Sequence, residues 1–271
     1  MSDRAAPFEA RQKEFGDFLR SRRERLTPAD VGLPNGIRRR TPGLRREEVA
    51  HLAGVGTTWY TWLEQGRDVQ ASAEVLNALA RALRLNAVER RHLFVLADAS
   101  AQPARTEGPE RVPDALVRVL HSLIDQPAIV LGRRWDVLAW NQAALAVFGD
   151  FGRLEGDARN LMHMMFANAS HRRLLLDWEH LAPQSLAMFR ADSARYAGDP
   201  EFERLINALL EHSPEFASWW PRHDVMHQPS TVKRIAHPSL GQLLFEVMSL
   251  GVSDHPGMRF VVWTPIASSD P

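Results

Sequence analysis

The side chains with the clearest capacity for chemistry are the arginines in residues 20–46. Nine arginines lie there against two acidic residues, Glu24 and Asp30. Residues 1–100 hold 17 Lys+Arg and 13 Asp+Glu, whereas residues 101–271 hold 16 and 20. Local basicity of this kind indicates a polyanionic partner such as DNA. The excess is small, so a solvated charged surface remains the alternative.

The segment that follows this basic region contains four residues that could contact DNA from one helix: Thr57, Thr58, Thr61 and Trp62. A helix that begins near Gly56 or Thr57 presents free backbone N–H groups and the positive end of its dipole to phosphates. Its first residues reach base edges in the major groove, so we predict that Thr57 and Thr58 make base contacts. Thr61 and Trp62 fall on the same outer face. A tryptophan in a small domain is often buried, and this reading of Trp62 stays open.

Helical spacing places Tyr60 and Leu63 of the same segment on the inner face. Arg67, just past the helix, suits a contact with the DNA backbone. Three arginines on the Pro/Gly-containing loop 27–42 are predicted to clamp phosphates or to enter the minor groove as an arm. They are Arg38, Arg39 and Arg40. A plain solvated loop is the alternative for them.

The elements that must position these side chains are helices. Apolar residues recur at helical spacing through residues 8–97 and predict five short helices. Residues 98–113 carry three prolines and a glycine and predict a linker. Beyond it the pattern is mixed: a helix over 114–124, strands over 128–131 and 136–140, helices across 141–218, and strand-like runs around 242–250 and 258–264. The second domain, 114–271, is therefore predicted to be α+β.

Residues 43–67 resemble the helix-turn-helix of the xenobiotic-response-element, Cro/repressor-like class. The matching positions are Leu44, Val49-Ala50, Ala53-Gly54, Val55 and Leu63-Glu64-Gln65-Gly66. This resemblance implies that residues 1–97 form an all-α, five-helix DNA-binding domain. The same fold could also serve as a protein-interaction module that does not bind DNA.

The resemblance also implies that Arg45 is the N-cap of the first motif helix, where Ser, Thr, Asp or Asn would be more stabilising. Arginine at 45 and 46 opposes the helix dipole, which is explicable if the pair sits over phosphates. We therefore expect Arg45 and Arg46 to contact DNA. In the alternative, Thr41 caps a helix with Pro42 at its first position.

A longer resemblance, to the MmyB-like regulators, covers nearly the whole chain. It is carried by residues 32–50, by Thr58–Asp68 and by four segments of the second domain. These are Gly132–Asn141, Asp177–Glu179, Ser213–Ala217 and His237–Gly241. The resemblance implies a PAS-like ligand-binding domain, a homodimer that binds double-stranded DNA at a palindromic operator, and a small fatty-acid-like ligand. Residues 226–235 match nothing in this pattern.

Large apolar side chains are dense in residues 140–196, and flexible methionines among aromatics suit a pocket for an acyl chain. A carboxylate ligand would need a cation there, and Arg190 is our candidate. An ordinary core is the alternative for each apolar residue. The predicted ligand-binding residues are Trp140, Phe148, Met162, Met165, Phe166, Trp178, Met188 and Arg190.

Composition and motifs exclude several other classes. The chain lacks cysteine, so disulfide scaffolds, thiolate metal sites and thiol nucleophiles are excluded. No nucleophile elbow, P-loop or dinucleotide fingerprint occurs, so we expect no enzyme activity and no cofactor. His223 and His227, or His163 and His171, leave a metal- or haem-sensing regulator open as an alternative. We expect a cytoplasmic protein, since there is no signal peptide and no run of about 18 apolar residues.

Overall fold

A computed structural model describes residues 5–34, 43–97, 110–226 and 231–266. The chain divides into two units, and the first comprises Met1–Arg105, Ala194–Phe202 and Pro221–Met226. The second comprises Thr106–Ser193, Glu203–Trp220 and His227–Pro271. Two short segments of the predicted second domain thus group with the first unit. Arg38, Arg39 and Arg40 and most of the predicted linker lie outside the described residues.

Five α-helices form the N-terminal part of the first unit, which confirms the predicted all-α domain. They are α1 (Ala5–Arg25), α2 (Arg46–Ala53), α3 (Thr57–Glu64), α4 (Ala73–Ala82) and α5 (Ala87–Ala97). A 3-10 turn, Ala29–Val31, follows α1. The helices pack their apolar faces together around Phe18, Leu19, Val49, Leu79 and Leu93, each fully buried.

Local capping explains where the later helices of this domain begin. Ser72 precedes α4, and its hydroxyl accepts a hydrogen bond from the Val75 N–H. Asn86 precedes α5, and its side-chain oxygen accepts from the N–H groups of Val88 and Glu89, both at 2.9 Å. The Glu89 carboxylate accepts in return from the Asn86 N–H at 3.0 Å. This reciprocal pair satisfies backbone donors that the first helical turn leaves without partners.

A buried carboxylate, Glu64, ties the last turn of α3 to α1 and α2. Its side chain is fully buried and receives two hydrogen bonds of 2.8 Å from Arg23 and one of 3.0 Å from Arg46. Burial by itself would raise the pKa of Glu64, but the hydrogen bonds and charges of Arg23 and Arg46 hold that pKa below its ordinary value. Glu64 is therefore ionised and paired.

The second unit combines short helices with an antiparallel sheet, so the α+β prediction is confirmed. Its helices are α6 (Asp114–Ser122), α7 (Gln142–Phe148), α8 (Leu161–Phe166), α9 (Ala169–Leu174), α10 (Trp178–Ser193), α11 (Pro200–His212) and α12 (Pro214–Trp219). The first residues of α11 belong to the first unit. No helix in the described ranges is both long and apolar enough to cross a membrane.

Five strands form one sheet in the order β2-β1-β5-β4-β3, and all neighbours are antiparallel. The strands are β1 (Ala128–Leu131), β2 (Val137–Trp140), β3 (Thr231–His237), β4 (Gly241–Gly251) and β5 (Arg259–Pro265). Four match predicted strands within a few residues. Strand β3 was not predicted from the sequence, and it pairs along its whole length with β4, from Thr231 opposite Val247 to His237 opposite Gly241.

The pleat of the sheet separates two faces with different surroundings. On one face Ala128, Val130 and Phe260 form a buried cluster with Leu120 of α6. The residues that alternate with them, including Ile129, face the opposite side. That second face forms the floor of the cavity described below.

We predict that Glu64→Gln destabilises the first unit by about 3 kcal/mol, because removing one partner of a buried ion pair leaves the arginines unmatched. Glu47→Gln is the matched control, since Glu47 pairs with Arg45 on the surface and its side chain is 63% exposed. Urea unfolding followed by circular dichroism measures both variants.

The same experiment has a defined pH dependence. Since the pKa of Glu64 is depressed on folding, its contribution is complete above about pH 5 and is lost as the pH falls through the folded-state pKa. The stability difference between wild type and Glu64→Gln therefore shrinks in acid. Equal stability of the two proteins at neutral pH would contradict the role assigned to Glu64.

Candidate DNA-binding surface and ligand cavity

The two helices of the motif, α2 and α3, are joined by a three-residue turn. Gly54 ends α2 with a φ of +69°, in the left-handed region that favours glycine, and its N–H donates to the carbonyls of Ala50 and His51. Gly56 then precedes α3 in extended conformation without a side-chain cap. The first turn of α3 therefore keeps free N–H groups, which suit a phosphate.

Thr57 and Thr58, the first two residues of α3, are both exposed. Their positions at an exposed helix N-terminus match the predicted base contacts in geometry. Tyr60 and Leu63 are 0% and 2% exposed, so they face the core as the spacing predicts. The outer face of α3 is therefore available to a partner while its inner face holds the helix in place.

The other predicted contacts on and after α3 have partners within the protein. The Thr61 hydroxyl donates to the Thr57 carbonyl at 2.8 Å, so its donor is used inside the helix. Trp62 is 39% exposed, and the Arg67 guanidinium lies 5.9 Å from the centre of its ring. Trp62 and Arg67 together form a partly exposed aromatic and cationic edge beside the threonines.

Arg45 is the N-cap of α2, as expected, and α2 begins at Arg46 rather than at Pro42. The Arg45 N–H donates to the Glu48 carboxylate at 2.7 Å, so glutamate three residues later supplies half of a capping box. The Arg46 guanidinium donates a hydrogen bond to the Glu64 carboxylate, while the Arg46 side chain is 41% exposed. Its charge therefore already has a partner in the free protein, which the sequence did not indicate.

In the second unit, a cavity of about 60 Å³ lies between the sheet and the helices. The inward side chains of four strands form its floor, and those of the helices and connecting segments form its walls. The floor residues are Ile129, Leu131, Lys233, Val247, Ser249, Arg259, Val261 and Trp263. The walls are Trp135, Phe148, Phe151, Leu161, Met164, Met165, His171, Leu175, Ser185 and Met188.

Three of the predicted ligand-binding residues line this cavity: Phe148, Met165 and Met188. Phe148 packs against Trp263 of the floor with ring centres 5.0 Å apart. Met164 and Leu161 line it as well. Methionines are flexible, so these walls can move to admit a larger molecule than the closed cavity holds.

The structure places the other five predicted residues elsewhere in the second unit: Trp140, Met162, Phe166, Trp178 and Arg190. Trp140 packs on Phe151, and Met162 is fully buried. Phe166 and Trp178 join an aromatic cluster with Phe216 and Trp219. The density of large apolar side chains in residues 140–196 singled out the four apolar residues of this set, but such density does not separate a core from a cavity wall.

Arg190 has a structural role in place of the predicted ligand contact. It is 2% exposed, donates to the Trp220 carbonyl, and lies 3.7 Å from the centre of the Trp220 ring. A guanidinium stacked on an aromatic ring in this way is stabilised by a cation–π interaction. The sequence placed Arg190 after an apolar run, but its side chain does not line the cavity.

Two cations other than Arg190 line the cavity, Arg259 and Lys233, and they differ in their partners. Arg259 donates to the Asp192 carboxylate at 2.6 Å, and the Trp135 indole N–H donates to the same carboxylate at 2.9 Å. Lys233, from β3, forms no ion pair or hydrogen bond through its ammonium with the described residues. Burial lowers the pKa of Lys233 to about 8.

His171 is the other titratable group in the cavity wall. Burial, together with the positive charge of Lys233, lowers the pKa of His171 to about 4. Its imidazole is therefore neutral at physiological pH and has both a donor and an acceptor nitrogen. Lys233, Arg259, Asp192 and Trp135 were not singled out for ligand contact from the sequence.

The segment Gly132–Asn141, which carries part of the family resemblance, shapes one end of the cavity. Arg134 is buried and donates to Asp136 at 3.0 Å and to Asp157 at 2.7 Å. Asn141 accepts from the Ala128 N–H and donates to the Leu123 and Gln126 carbonyls, which fixes the start of β1 against the start of α7. These polar contacts hold Trp135 of the same segment in the cavity wall.

Among the described residues, no group of three or more His, Asp or Glu side chains is arranged to hold a metal ion. His227, half of the His223/His227 pair, lies outside the described residues. His163 is not a cavity residue, and burial lowers its pKa. A cavity of about 60 Å³ gives no support to haem at His171.

Two family models match the chain. The model for the MmyB-like transcription regulator ligand binding domain matches residues 112–271, and a helix-turn-helix domain model matches residues 14–93. No curated protein matches the chain. The first match covers the unit that contains the cavity, and the second covers α2 and α3, including the exposed Thr57 and Thr58 of α3. The chain therefore belongs to the MmyB-like transcription regulators, as a DNA-binding transcription regulator with a ligand-binding domain.

Proposed function

We propose that this regulator binds a palindromic operator as a homodimer and that a small fatty-acid-like ligand in the cavity controls its DNA binding. The observation that carries the proposal is an apolar cavity, with flexible methionine walls, in the same chain as an exposed helix N-terminus. Ligand acts by binding one arrangement of the dimer more tightly than another. The chain then acts without catalysis or a resident cofactor, in the cytoplasm where it reaches DNA.

The DNA-binding part of the proposal rests on the outer face of α3. Thr57 and Thr58 contact bases, the free N–H groups of the first turn bind phosphate, and Thr61 and Trp62 lie along the same face. Arg45, Arg46 and Arg67 add backbone contacts, with Arg46 retaining its pairing to Glu64. Arg38, Arg39 and Arg40 are further proposed contacts, to phosphates or to the minor groove.

The ligand-binding part rests on the character of the cavity. Aliphatic, aromatic and methionine side chains form most of its lining, so its occupant is predominantly apolar. The strand order β2-β1-β5-β4-β3, with helices of the β2–β3 connection over one face, supports a PAS-like assignment for this unit. Since the closed cavity is small, we expect the methionines to change rotamer when an acyl chain enters.

Dimerisation follows from the expected operator. A palindromic operator has two-fold symmetry, which a homodimer of a helix-turn-helix protein matches with one α3 in each half-site. Light scattering on the purified protein, with and without operator DNA, measures the number of chains. A single chain on the complete operator would contradict this part of the proposal.

We predict that Thr57→Ala combined with Thr58→Ala weakens operator binding by at least about tenfold, because lost base contacts cost about 1–3 kcal/mol each. Thr264→Ala is the control, as an exposed threonine in β5 of the other unit. Fluorescence anisotropy with operator and scrambled duplexes measures both. The double variant loses discrimination between duplexes, whereas a protein-interaction module shows none in the wild type.

Salt dependence provides a second measurement of the DNA proposal. Binding that neutralises phosphates releases counterions, so the logarithm of affinity falls linearly with the logarithm of salt concentration. We expect the double threonine variant to keep the wild-type slope, because hydroxyl groups release no counterions. A salt-independent affinity in the wild type would contradict phosphate contact.

We also predict that an apolar small molecule copurifies with the protein. Denaturing extraction followed by mass spectrometry identifies it, and thermal shift with added fatty acids measures stabilisation of the second unit. A visible absorption spectrum on the same sample tests the haem alternative. Recovery of no apolar molecule together with no thermal shift would contradict the fatty-acid-like ligand.

A further inference from the structure

Lys233 occupies a position where a strand with one buried face normally carries an apolar side chain. It lies directly opposite Phe245 of β4, and Ile235, two residues along β3, is fully buried on the same face. Its neighbours on the outer face, Val232 and Arg234, are exposed. The pleat therefore directs the ammonium of Lys233 toward the cavity.

Lys233 is half-buried, and an unpaired ammonium held among apolar side chains is costly unless a negative group accompanies it. Within the described part of the chain, no carboxylate pairs with Lys233, and burial lowers its pKa. The other two candidate cations of this unit are already satisfied. Arg259 pairs with Asp192, and Arg190 binds the carbonyl and ring of Trp220.

We infer that Lys233 is the anchor for the carboxylate of an acidic ligand, whose apolar part lies along the sheet floor. The inference rests on the proposed ligand-binding function and adds the position and chemistry of the ligand's charged end. It replaces Arg190, the candidate that the sequence suggested.

His171 completes the anchor site from the helical side. Its pKa depends on the charge of Lys233, which places the two groups within electrostatic reach of each other. A neutral imidazole donates one N–H, so His171 and Lys233 hydrogen-bond a carboxylate from opposite walls. The geometry matches an acid better than a neutral alcohol, which needs no cation.

The side chains of the sheet floor indicate the direction in which the apolar part of the ligand runs. Val247 lies opposite Trp263, and Ser249 lies opposite Val261, which in turn lies opposite Ile129. These pairs form adjacent rows that lead across the sheet away from β3. A chain anchored at Lys233 therefore runs over β4 and β5 toward β1.

Decanoic acid and 1-decanol, which share a chain length and differ in charge, test the anchor. We expect the wild-type protein to bind the acid about ten- to a hundredfold more tightly than the alcohol, as a charged hydrogen-bonded pair predicts. Lys233→Met keeps an unbranched side chain of nearly the same length and removes the charge, so the preference is lost while alcohol binding is retained. Isothermal titration calorimetry measures all four affinities.

Two further variants make the outcome specific to the Lys233 charge. Lys233→Arg restores a cation and keeps most of the preference for the acid. Arg234→Met removes the adjacent cation, which points to the outer face and pairs with Asp177, and leaves the preference unchanged. Retained preference in Lys233→Met, or loss of it in Arg234→Met alone, overturns the anchor assignment.

The two probes also separate this inference from the proposed function. If the wild type binds acid and alcohol equally, the cavity takes apolar ligands and the Lys233 anchor is wrong. If it binds neither probe, the proposed apolar ligand is wrong, and the anchor with it. If the wild type prefers the acid and Lys233→Met does not, the result supports both the apolar ligand and the Lys233 anchor.

The pH dependence of the same titration follows from the pKa of Lys233. Because the ammonium is lost as the pH rises through about 8, affinity for decanoic acid falls above that pH by up to about tenfold per unit. The other charged and titratable groups facing the cavity are His171 from α9, whose pKa burial lowers to about 4, and Arg259, which is paired with Asp192 of α10. Affinity for 1-decanol stays constant, and a pH-independent acid affinity would contradict the role of Lys233.

Discussion

A charge taken out of water needs an opposite charge or several hydrogen bonds, and this constraint organises both units of the chain. In the DNA-binding unit the constraint centres on Glu64. Its carboxylate lies at the end of α3 and binds arginines from α1 and α2, so three helices meet at one ion cluster. The orientation of α3, and with it the direction of Thr57 and Thr58, depends on that cluster. The exposed face that we propose binds DNA is thus fixed by a contact at the opposite end of the same helix.

Within the part of the chain that the structure describes, the second unit meets the same constraint at Arg134, Arg190 and Arg259, but not at Lys233. Arg134 and Arg259 have aspartates, and Arg190 has a carbonyl and an aromatic ring. These pairs hold the walls of the cavity and are part of the fold. The Lys233 ammonium, which pairs with none of the described carboxylates, contributes nothing of this kind to the fold. Its presence is explained when a ligand supplies the missing charge.

The sequence predicted the helices of the DNA-binding unit well because each has a local signal. Asn86 and Ser72 cap helices, and Tyr60 and Leu63 have the spacing of an inward face. It also predicted four strands, since β1, β2, β4 and β5 are apolar runs. Strand β3 was missed because Lys233 and Arg234 break its alternation, although they project to opposite faces of the sheet. The exception to the pattern is the residue that carries the inferred binding chemistry.

The candidate site was predictable to a smaller degree, for a related reason. The density of large apolar side chains predicts which segment lines the cavity, and Phe148, Met165 and Met188 do line it, but this density does not distinguish them from Met162 and Phe166, which do not. Closeness along the chain likewise favoured Arg190, since it follows an apolar helix. Whether a cation is available to a ligand depends on what it already binds, and those partners come from distant parts of the sequence. Asp192 and Trp220 satisfy two of the arginines, and neither pairing has a signal in the spacing.

Under the proposal that an acidic ligand with an acyl chain binds this cavity, the difference between a satisfied and an unsatisfied charge also gives that ligand its means of control. A ligand shifts a conformational equilibrium only by the difference between its affinities for the two states. An acyl chain in an apolar cavity makes similar contacts in any state that keeps the cavity closed. A carboxylate at Lys233 interacts strongly only where β3 and α9 hold the ammonium and His171 on either side of it. The charged end therefore discriminates between arrangements, while the apolar end supplies most of the affinity.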